Sequence, residues 1–246
     1  MHWTEPYFEH AYLKRWSSGP PSPAVRAEAA HLLTLLSSPT ELPLLDVGCG
    51  DGRYTLALAS LGSRVVGLDA SRALLQLAAR EGAATSGSPR WVRGDMRGLP
   101  LAQRFGGAFL VDSFGFFDQD DENALVLREL RRILLPRGRL IITVANRTPI
   151  LADFRPRDVE RRGSVVFEIE RTLQRQPTQL VEIIAVQEPT GITHYERRQR
   201  LYSRADLTQL LEATAFVVRG VSADYTGRPF DEAASSKVVI LAEAAA

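Results

Sequence analysis

Leu44-Leu45-Asp46-Val47-Gly48-Cys49-Gly50-Asp51-Gly52 is the stretch that decides the fold. A short, mainly apolar run, Leu42–Val47, enters three glycines at alternate positions, and Tyr54–Leu61 reads as a helix straight after them. A buried strand, a tight turn and a helix start together make a nucleotide-type cradle. The glycines let a ligand come close to the backbone, and the first helical turn offers unpaired N–H groups. Spacing then divides the options. The dinucleotide fingerprint G-x-G-x-x-G would put its third glycine where Arg53 stands; the pattern here is G-x-G-x-G, with Asp46 just before it.

The chain keeps alternating outward from this stretch. Downstream, Arg64–Asp69 is a second strand, Ser71 caps a helix carrying Leu74, Leu75, Leu77 and Ala78, and Arg90–Arg93 and Gly107–Val111 are further strands. Asp121–Leu135 is an amphipathic helix ended by Pro136-Arg137-Gly138, and Arg139–Val144 is a fifth strand. Upstream, Ser22 and Pro23 start a helix with Val25, Ala29, Leu32, Leu33 and Leu36 on one face, closed by Ser37-Ser38-Pro39. Strands and helices alternating at this spacing imply βαβ units and a mostly parallel sheet. After Asn146 the pattern changes. Ser164–Leu173, Gln179–Gln187 and Ile192–Tyr202 are strand-like with no helix between them, so they predict a three-stranded antiparallel insertion. Ser203 caps a last helix in a capping box with Asp206, and Phe216–Ser222 and Lys237–Ala242 close the chain. The expected fold class is α/β: a Rossmann-like, seven-stranded, mostly parallel sheet with helices on both faces and that insertion. It forms one domain over residues 1–246, with an aromatic segment or lid at 1–21, a cofactor-binding core at 42–146, the insertion at 160–202 and closing elements at 203–246.

Composition narrows the class. Thirty basic residues balance twenty-nine acidic ones, a net charge of +1, so the field expected of a dedicated nucleic-acid binder is missing. Hydrophobic residues make up 45% of the chain, ordinary for a globular core. Cys49 is the single cysteine, which excludes an intramolecular disulfide and gives no sign of an oxidising compartment. Met1 to Pro20 has no apolar core of a signal peptide, and runs such as Leu140–Ala145 are too short to span a bilayer. A soluble cytoplasmic domain without metal is the expectation.

Two more elements end strands on the same sheet edge as the glycine turn. Val65-Val66-Gly67-Leu68-Asp69-Ala70-Ser71 puts Asp69 where a carboxylate accepts the hydroxyls of a ribose; its other role there would be a favourable charge near a helix start. Arg93-Gly94-Asp95-Met96 closes the third strand. In this order and spacing, Leu44–Gly52, Val66–Ala70 and Gly94–Met96 resemble the cofactor motifs of class I S-adenosylmethionine-dependent methyltransferases. Leu130–Leu140 is similar to that family's segment before the fifth strand, with Arg137 in place of a usual glycine. The aromatic N-terminus, Phe114-Gly115-Phe116-Phe117 and Arg200-Leu201-Tyr202 resemble a bacterial subgroup. Antiparallel insertions of this kind occur in small-molecule N-methyltransferases, among them enzymes of amino sugars and glycine. The resemblance implies S-adenosyl-L-methionine as cofactor. It places Gly48, Cys49, Gly50 and Gly52 against the methionyl part, Asp46 at its amino end, Asp69 on the ribose and Ala70 beside the adenine. Asp95 would hold the adenine amino group and Met96 its ring, with Val111 below the transfer point.

Methyl transfer from a sulfonium is an in-line displacement, so alignment and exclusion of water are the enzyme's main tasks. An amine acceptor needs no base; an alcohol does. The base candidates are Asp112, at the mouth of the fourth strand, and His10 and His194, each with an alternative as a cap or an ordinary surface group. Tyr7, Phe8, Tyr12 and Trp16 either pack a terminal segment or form a lid over the sulfonium, where aromatic faces attract a cation. Tyr12, Phe114, Phe116 and Arg200 are candidate substrate contacts; Arg198, Arg200 and Tyr202 alternate and would share one strand face. Arg128–Arg132 and Arg155–Arg162 contain interleaved acids and read as solvated surface, with RNA contact as the lesser alternative. A small-molecule acceptor, no membrane partner and a homodimer through the insertion complete the expectation. Against it stand a non-catalytic S-adenosylmethionine-binding scaffold or regulator and a nicotinamide-dependent oxidoreductase. Asp69→Ala is predicted to weaken cofactor binding about tenfold or more, the worth of charge-assisted hydrogen bonds at ~1.5–3 kcal/mol; calorimetry showing unchanged affinity would remove Asp69 from the ribose.

Overall fold

The chain, seen in a computed structural model that describes residues 6–16, 19–36, 42–83, 87–102 and 104–245, enters through a π-helical turn, Tyr7–Ala11, and a short α1 (Tyr12–Arg15). The expected helix stop at Ser37-Ser38-Pro39, Ser17, Ser18, Ala246 and residues 1–5 lie outside the described residues. Ser22 accepts the Val25 N–H at 3.2 Å and starts α2 (Pro23–Leu36). Then β1 (Leu44–Val47), α3 (Arg53–Ser60), β2 (Val65–Asp69), α4 (Arg72–Gly82), β3 (Arg90–Arg93), β4 (Phe105–Val111), α5 (Asp120–Ile133) and β5 (Leu134–Ala145) follow. After α6 (Arg147–Ala152) come β6 (Arg157–Arg162), β7 (Val165–Arg175), β8 (Thr178–Glu188) and β9 (Gly191–Arg200), and the chain closes with α7 (Arg204–Ala213), β10 (Phe216–Ser222) and β11 (Lys237–Ala244).

The main sheet has the order β10-β11-β5-β4-β1-β2-β3. All pairs from β3 to β5 are parallel; β11 runs antiparallel to both β5 and β10. Strand order reverses beside β1, which has β2 on one side and β4 on the other, so a crevice opens above the ends of β1 and β4. All four β1 residues are buried, and Leu45, Leu68, Leu110, Leu127 and Ile142 belong to one core cluster. Ser71 caps α4 by accepting the Leu74 N–H at 3.1 Å, and Ser203 with Asp206 forms the expected capping box on α7.

Three boundaries differ from expectation. The antiparallel insertion has four strands, in the order β6-β7-β8-β9, not three. The extra strand, β6, lies in the run Arg155–Arg162; as an edge strand carrying charges on both faces, it shows no apolar alternation in the sequence. Second, β5 starts at Leu134, not Arg139. Pro136-Arg137-Gly138 forms an irregularity inside the strand, Arg137 taking φ +62°, and does not separate helix from strand. Third, α6 was not foreseen; Asn146 caps it by accepting the Thr148 N–H.

The insertion's inner face is half apolar and half ionic. Phe167, Ile169, Ile184 and Val186 pack on Tyr7 and Ala11 of the N-terminal turn. Alongside them Glu182, 2% exposed, faces Arg197 Nη1 at 2.6 Å, Arg171 Nε at 2.9 Å and Arg15 Nη1 at 4.0 Å. Arg15, itself 3% exposed, also forks onto Glu160, while Lys14 pairs with Glu188 at 2.5 Å. The N-terminal segment is thereby fastened to the insertion by three ion pairs and an apolar cluster. Burial alone would raise the Glu182 carboxyl, but the surrounding guanidiniums hold it below the usual carboxylate range. A depressed folded value means the contribution is complete above the unfolded pKa and is lost as pH falls through the folded one. Glu182→Ala would leave buried arginines uncompensated, so urea unfolding is predicted to show a loss of about 3–5 kcal/mol, shrinking in acid. A loss well under 1 kcal/mol would mean that Glu160 and Asp158 suffice as counter-charges.

Candidate functional site

Gly48, Gly50 and Gly52 all take positive φ in the turn after β1, at +70°, +58° and +82°. Their surroundings separate their roles. A Cβ on Gly48 would stand 2.6 Å from Ser113 Cβ, and one on Gly52 would stand 2.5 Å from the Trp91 ring; at Gly50 it would meet nothing within 4 Å. Two of the glycines therefore permit internal packing, and Gly50 alone faces open space. Its N–H donates to Asp69 Oδ2 at 2.8 Å, and the Ser71 N–H donates to Oδ1 at 2.8 Å. Asp69 thus ties the glycine turn to the turn after β2.

Three carboxylates surround this turn. Asp46, 3% exposed, accepts the Thr55 hydroxyl at 2.6 Å, and burial pushes its carboxyl up to about 7 although the Thr55 bond pulls it down. Burial also raises Asp51 and Asp69; Arg53, 3.3 Å from Asp51, offsets part of this for Asp51. Cys49 is half-buried, and desolvation pushes its thiol well above its usual range. Carboxylates crowded in low dielectric favour a cationic ligand, which would relieve their mutual repulsion.

Over the turn lies the N-terminal segment. Glu9 accepts the N–H groups of Arg72 and Ala73 at 2.6 and 3.1 Å, which caps the start of α4 with a negative charge. Tyr12 is raised by burial and lies near Arg53, Asp51 and Asp69. Its ring centroid is 5.5 Å from that of Phe8, which stands 5.6 Å from Phe116 in turn. Arg197 lies 5.3 Å over the Phe116 ring, braced by Glu182 and by Gln199 at 2.8 Å.

The remaining expected residues are distributed as follows. Asp95 is exposed and carries the Arg97 guanidinium at 2.6 Å; Met96 reaches Gly48 and packs on the core; Ala70 is exposed; Val111 is half-buried at the end of β4. Asp112 follows in the left-handed region at φ +53°, paired with Lys237 Nζ at 2.7 Å. His10 and His194 are both exposed. Phe114 is 1% exposed and stacks on Tyr202 at 5.5 Å, so it is part of the core and not a cleft wall. Arg200 is occupied by Asp120 at 2.9 Å and by the carbonyls of Thr178 and Leu201. The shared face of Arg198, Arg200 and Tyr202 needs correcting. β9 ends at Arg200, and its residues aligned with buried Ile184, Glu182 and Leu180 are Tyr195, Arg197 and Gln199. Periodicity alone gave the alternation but not which parity faces inward. Sequence reasoning also missed Glu9, Arg197, Tyr225 and Lys237, which carry no motif.

Among the described residues no group of three or more His, Cys, Asp and Glu could hold a metal, and no helix is long and apolar enough to cross a membrane. The methyltransferase domain family model matches residues 45–142. The cypemycin N-terminal methyltransferase of a Streptomyces species is 26% identical over 80% of this chain and 82% of its own. The dTDP-3-amino-3,6-dideoxy-alpha-D-glucopyranose N,N-dimethyltransferase of Streptomyces fradiae is 28% identical over 80% and 78%. Among solved structures, the CcbJ methyltransferase from Streptomyces caelestis superposes with a TM-score of 0.83 at 24% identity, covering 98% of this chain and 99% of that one. Gly50→Val is predicted to abolish binding of the cofactor of such enzymes while the protein stays folded, with an αL strain of about 1–2 kcal/mol. Gly52→Ala, which strikes Trp91, is predicted to lower the melting temperature instead. Normal binding by folded Gly50→Val contradicts the placement of the cradle.

Proposed function

We propose that this chain, an S-adenosylmethionine-dependent methyltransferase of the Rossmann-like class, methylates an amine nitrogen of a small polar molecule. The observation that carries the reading is the open space at Gly50 in a turn that follows buried Asp46, carries buried Asp51 and is bonded to half-buried Asp69, a cradle whose charge suits a cationic cofactor. When bound, that cofactor supplies a methyl group activated on a sulfonium. The residues of the chain divide the holding of it. The backbone of Gly48–Gly52 receives the methionyl part, Asp46 its ammonium and Arg53 its carboxylate. Asp69 keeps a lone pair on each oxygen beyond its two backbone partners, enough to accept the ribose hydroxyls. Ala70, Asp95 and Met96 border the adenine.

The acceptor then lies above the end of β4, between Asp112 and the wall of Phe8, Tyr12 and Phe116. The wall keeps water from the reacting line, and alignment supplies most of the acceleration; effective molarities reach ~10⁵ M or more. Once its ammonium form has given a proton to water, an amine nitrogen attacks with its own lone pair, so the exposed His10 and His194 are not needed as bases. One relative, at 28% identity, is named an N,N-dimethyltransferase and another, at 26%, an N-terminal methyltransferase; both cover 80% of this chain, against 56% for a ubiquinone biosynthesis O-methyltransferase, which supports nitrogen over oxygen. The proposal includes a cytoplasmic enzyme and a second copy docked on the insertion's outer face, where Val159 and Ile192 are 58% and 61% exposed. The test is release of S-adenosylhomocysteine with amino-sugar nucleotides, peptides with free amino termini and the matching hydroxyl compounds. Turnover with an amine and none with its hydroxyl twin is expected; turnover confined to hydroxyl acceptors contradicts the assignment to nitrogen.

A further inference from the structure

Resting on that reading, we propose that Asp112 is the anchor for the acceptor's ammonium group, and that Lys237 occupies this anchor as an internal stand-in which the acceptor displaces. Asp112 directly precedes Ser113, whose hydroxyl donates to the Val47 carbonyl at 2.6 Å and whose Cβ lies against Gly48. The carboxylate is therefore one residue from a contact with the glycine turn, at the crevice where strand order reverses. Its backbone is held in the left-handed region, φ +53°, with its N–H donating to the Thr143 carbonyl at 3.0 Å. A non-glycine residue there is strained, and strain of this kind concentrates where a side chain must be aimed.

The pair with Lys237 has the wrong properties for a structural tie. Both side chains are about half exposed, 44% for Lys237 and 49% for Asp112. Pairs of that exposure are worth little, so an incoming ammonium can replace the lysine at small cost. The exchange is cation for cation, which leaves the local charge unchanged. The surroundings fit the same ligand. Tyr54 and Tyr225 meet edge to face at 6.4 Å, and their hydroxyls are already engaged, Tyr54 with Glu28 and Tyr225 with Thr143 at 2.8 Å. Tyr225 is 7% exposed and half-buried Tyr54 packs against its cluster, so the pair forms an apolar aromatic floor beside Asp112 that suits the carbon groups next to an ammonium. Glu28 adds negative charge, and Arg53, the opposing cation nearby, is neutralised by Asp51. The acceptor nitrogen sheds one proton to water before its lone pair takes the methyl carbon; the carbon–sulfur pair stays on sulfur. The product nitrogen is again a cation facing Asp112.

An ion pair kept for stability and one kept as a stand-in respond oppositely to mutation of the lysine. The experiment titrates benzylammonium chloride, with benzyl alcohol as its neutral twin, into the S-adenosylhomocysteine complex by NMR. The wild type binds the ammonium saturably and the alcohol not at all. Lys237→Gln tightens ammonium binding, by up to about fivefold, the ratio set by a surface ion pair. Asp112→Asn weakens it about tenfold or more. Absence of saturable binding, or shifts of both variants in the same direction, overturns the anchor. Calorimetry with S-adenosylhomocysteine comes first: a protein that does not take it loses the methyltransferase reading, and the anchor falls with it, whereas binding there followed by failure with benzylammonium removes the anchor alone.

Discussion

Asp69 accepting the N–H groups of Gly50 and Ser71 is the interaction on which the cleft depends. One carboxylate at the end of β2 fixes the turn after β1 and the start of α4 together. It adds a side-chain tie to the two backbone bonds by which the Gly48 and Cys49 N–H groups donate to the Leu68 carbonyl of β2. In the proposed reading Asp69 also takes the ribose, so the bond that shapes the cradle and the bond that would read the ligand share one side chain. Burial of Asp46, Asp51 and Asp69 around that turn raises all three, an arrangement unfavourable in isolation and favourable beside a sulfonium and an ammonium.

The second constraint is closure. The N-terminal segment touches three bodies at once: Glu9 caps α4, Phe8 and Tyr12 join Phe116, and Arg15 and Lys14 grip the insertion. Each contact is ordinary, but together they put an aromatic wall over the end of β4. The insertion contributes in the same direction, since Arg197 is braced by Glu182 to lie on Phe116. In the proposed reading, water exclusion would be built from segments that lie outside the parallel core.

The parallel core was legible because its signals are local. Leu44–Gly52 carries the strand, the turn and the acid in nine residues, and Ser71 and Ser203 cap helices by bonds within their own first turns. Long-range choices were not legible. Nothing in Arg157–Arg162 reveals a strand, because its partner is β7 and its inward charges answer Arg15 and Arg171. β9 shows two alternating sets, and only pairing with β8 decides that Arg197 and not Arg200 faces the wall. Phe114 reads like a rim residue by position, yet Tyr202 closes over it. Lys237 looks like any strand-opening lysine until β11 is laid beside β5 and its ammonium meets Asp112.

The glycine turn must take a cationic ligand, and one calorimetric comparison tests that directly. The purified chain is titrated with S-adenosylmethionine and, in parallel, with NADH. Saturable binding of S-adenosylmethionine and none of NADH is the predicted result. Binding of NADH alone, or of neither by a folded protein, would contradict it.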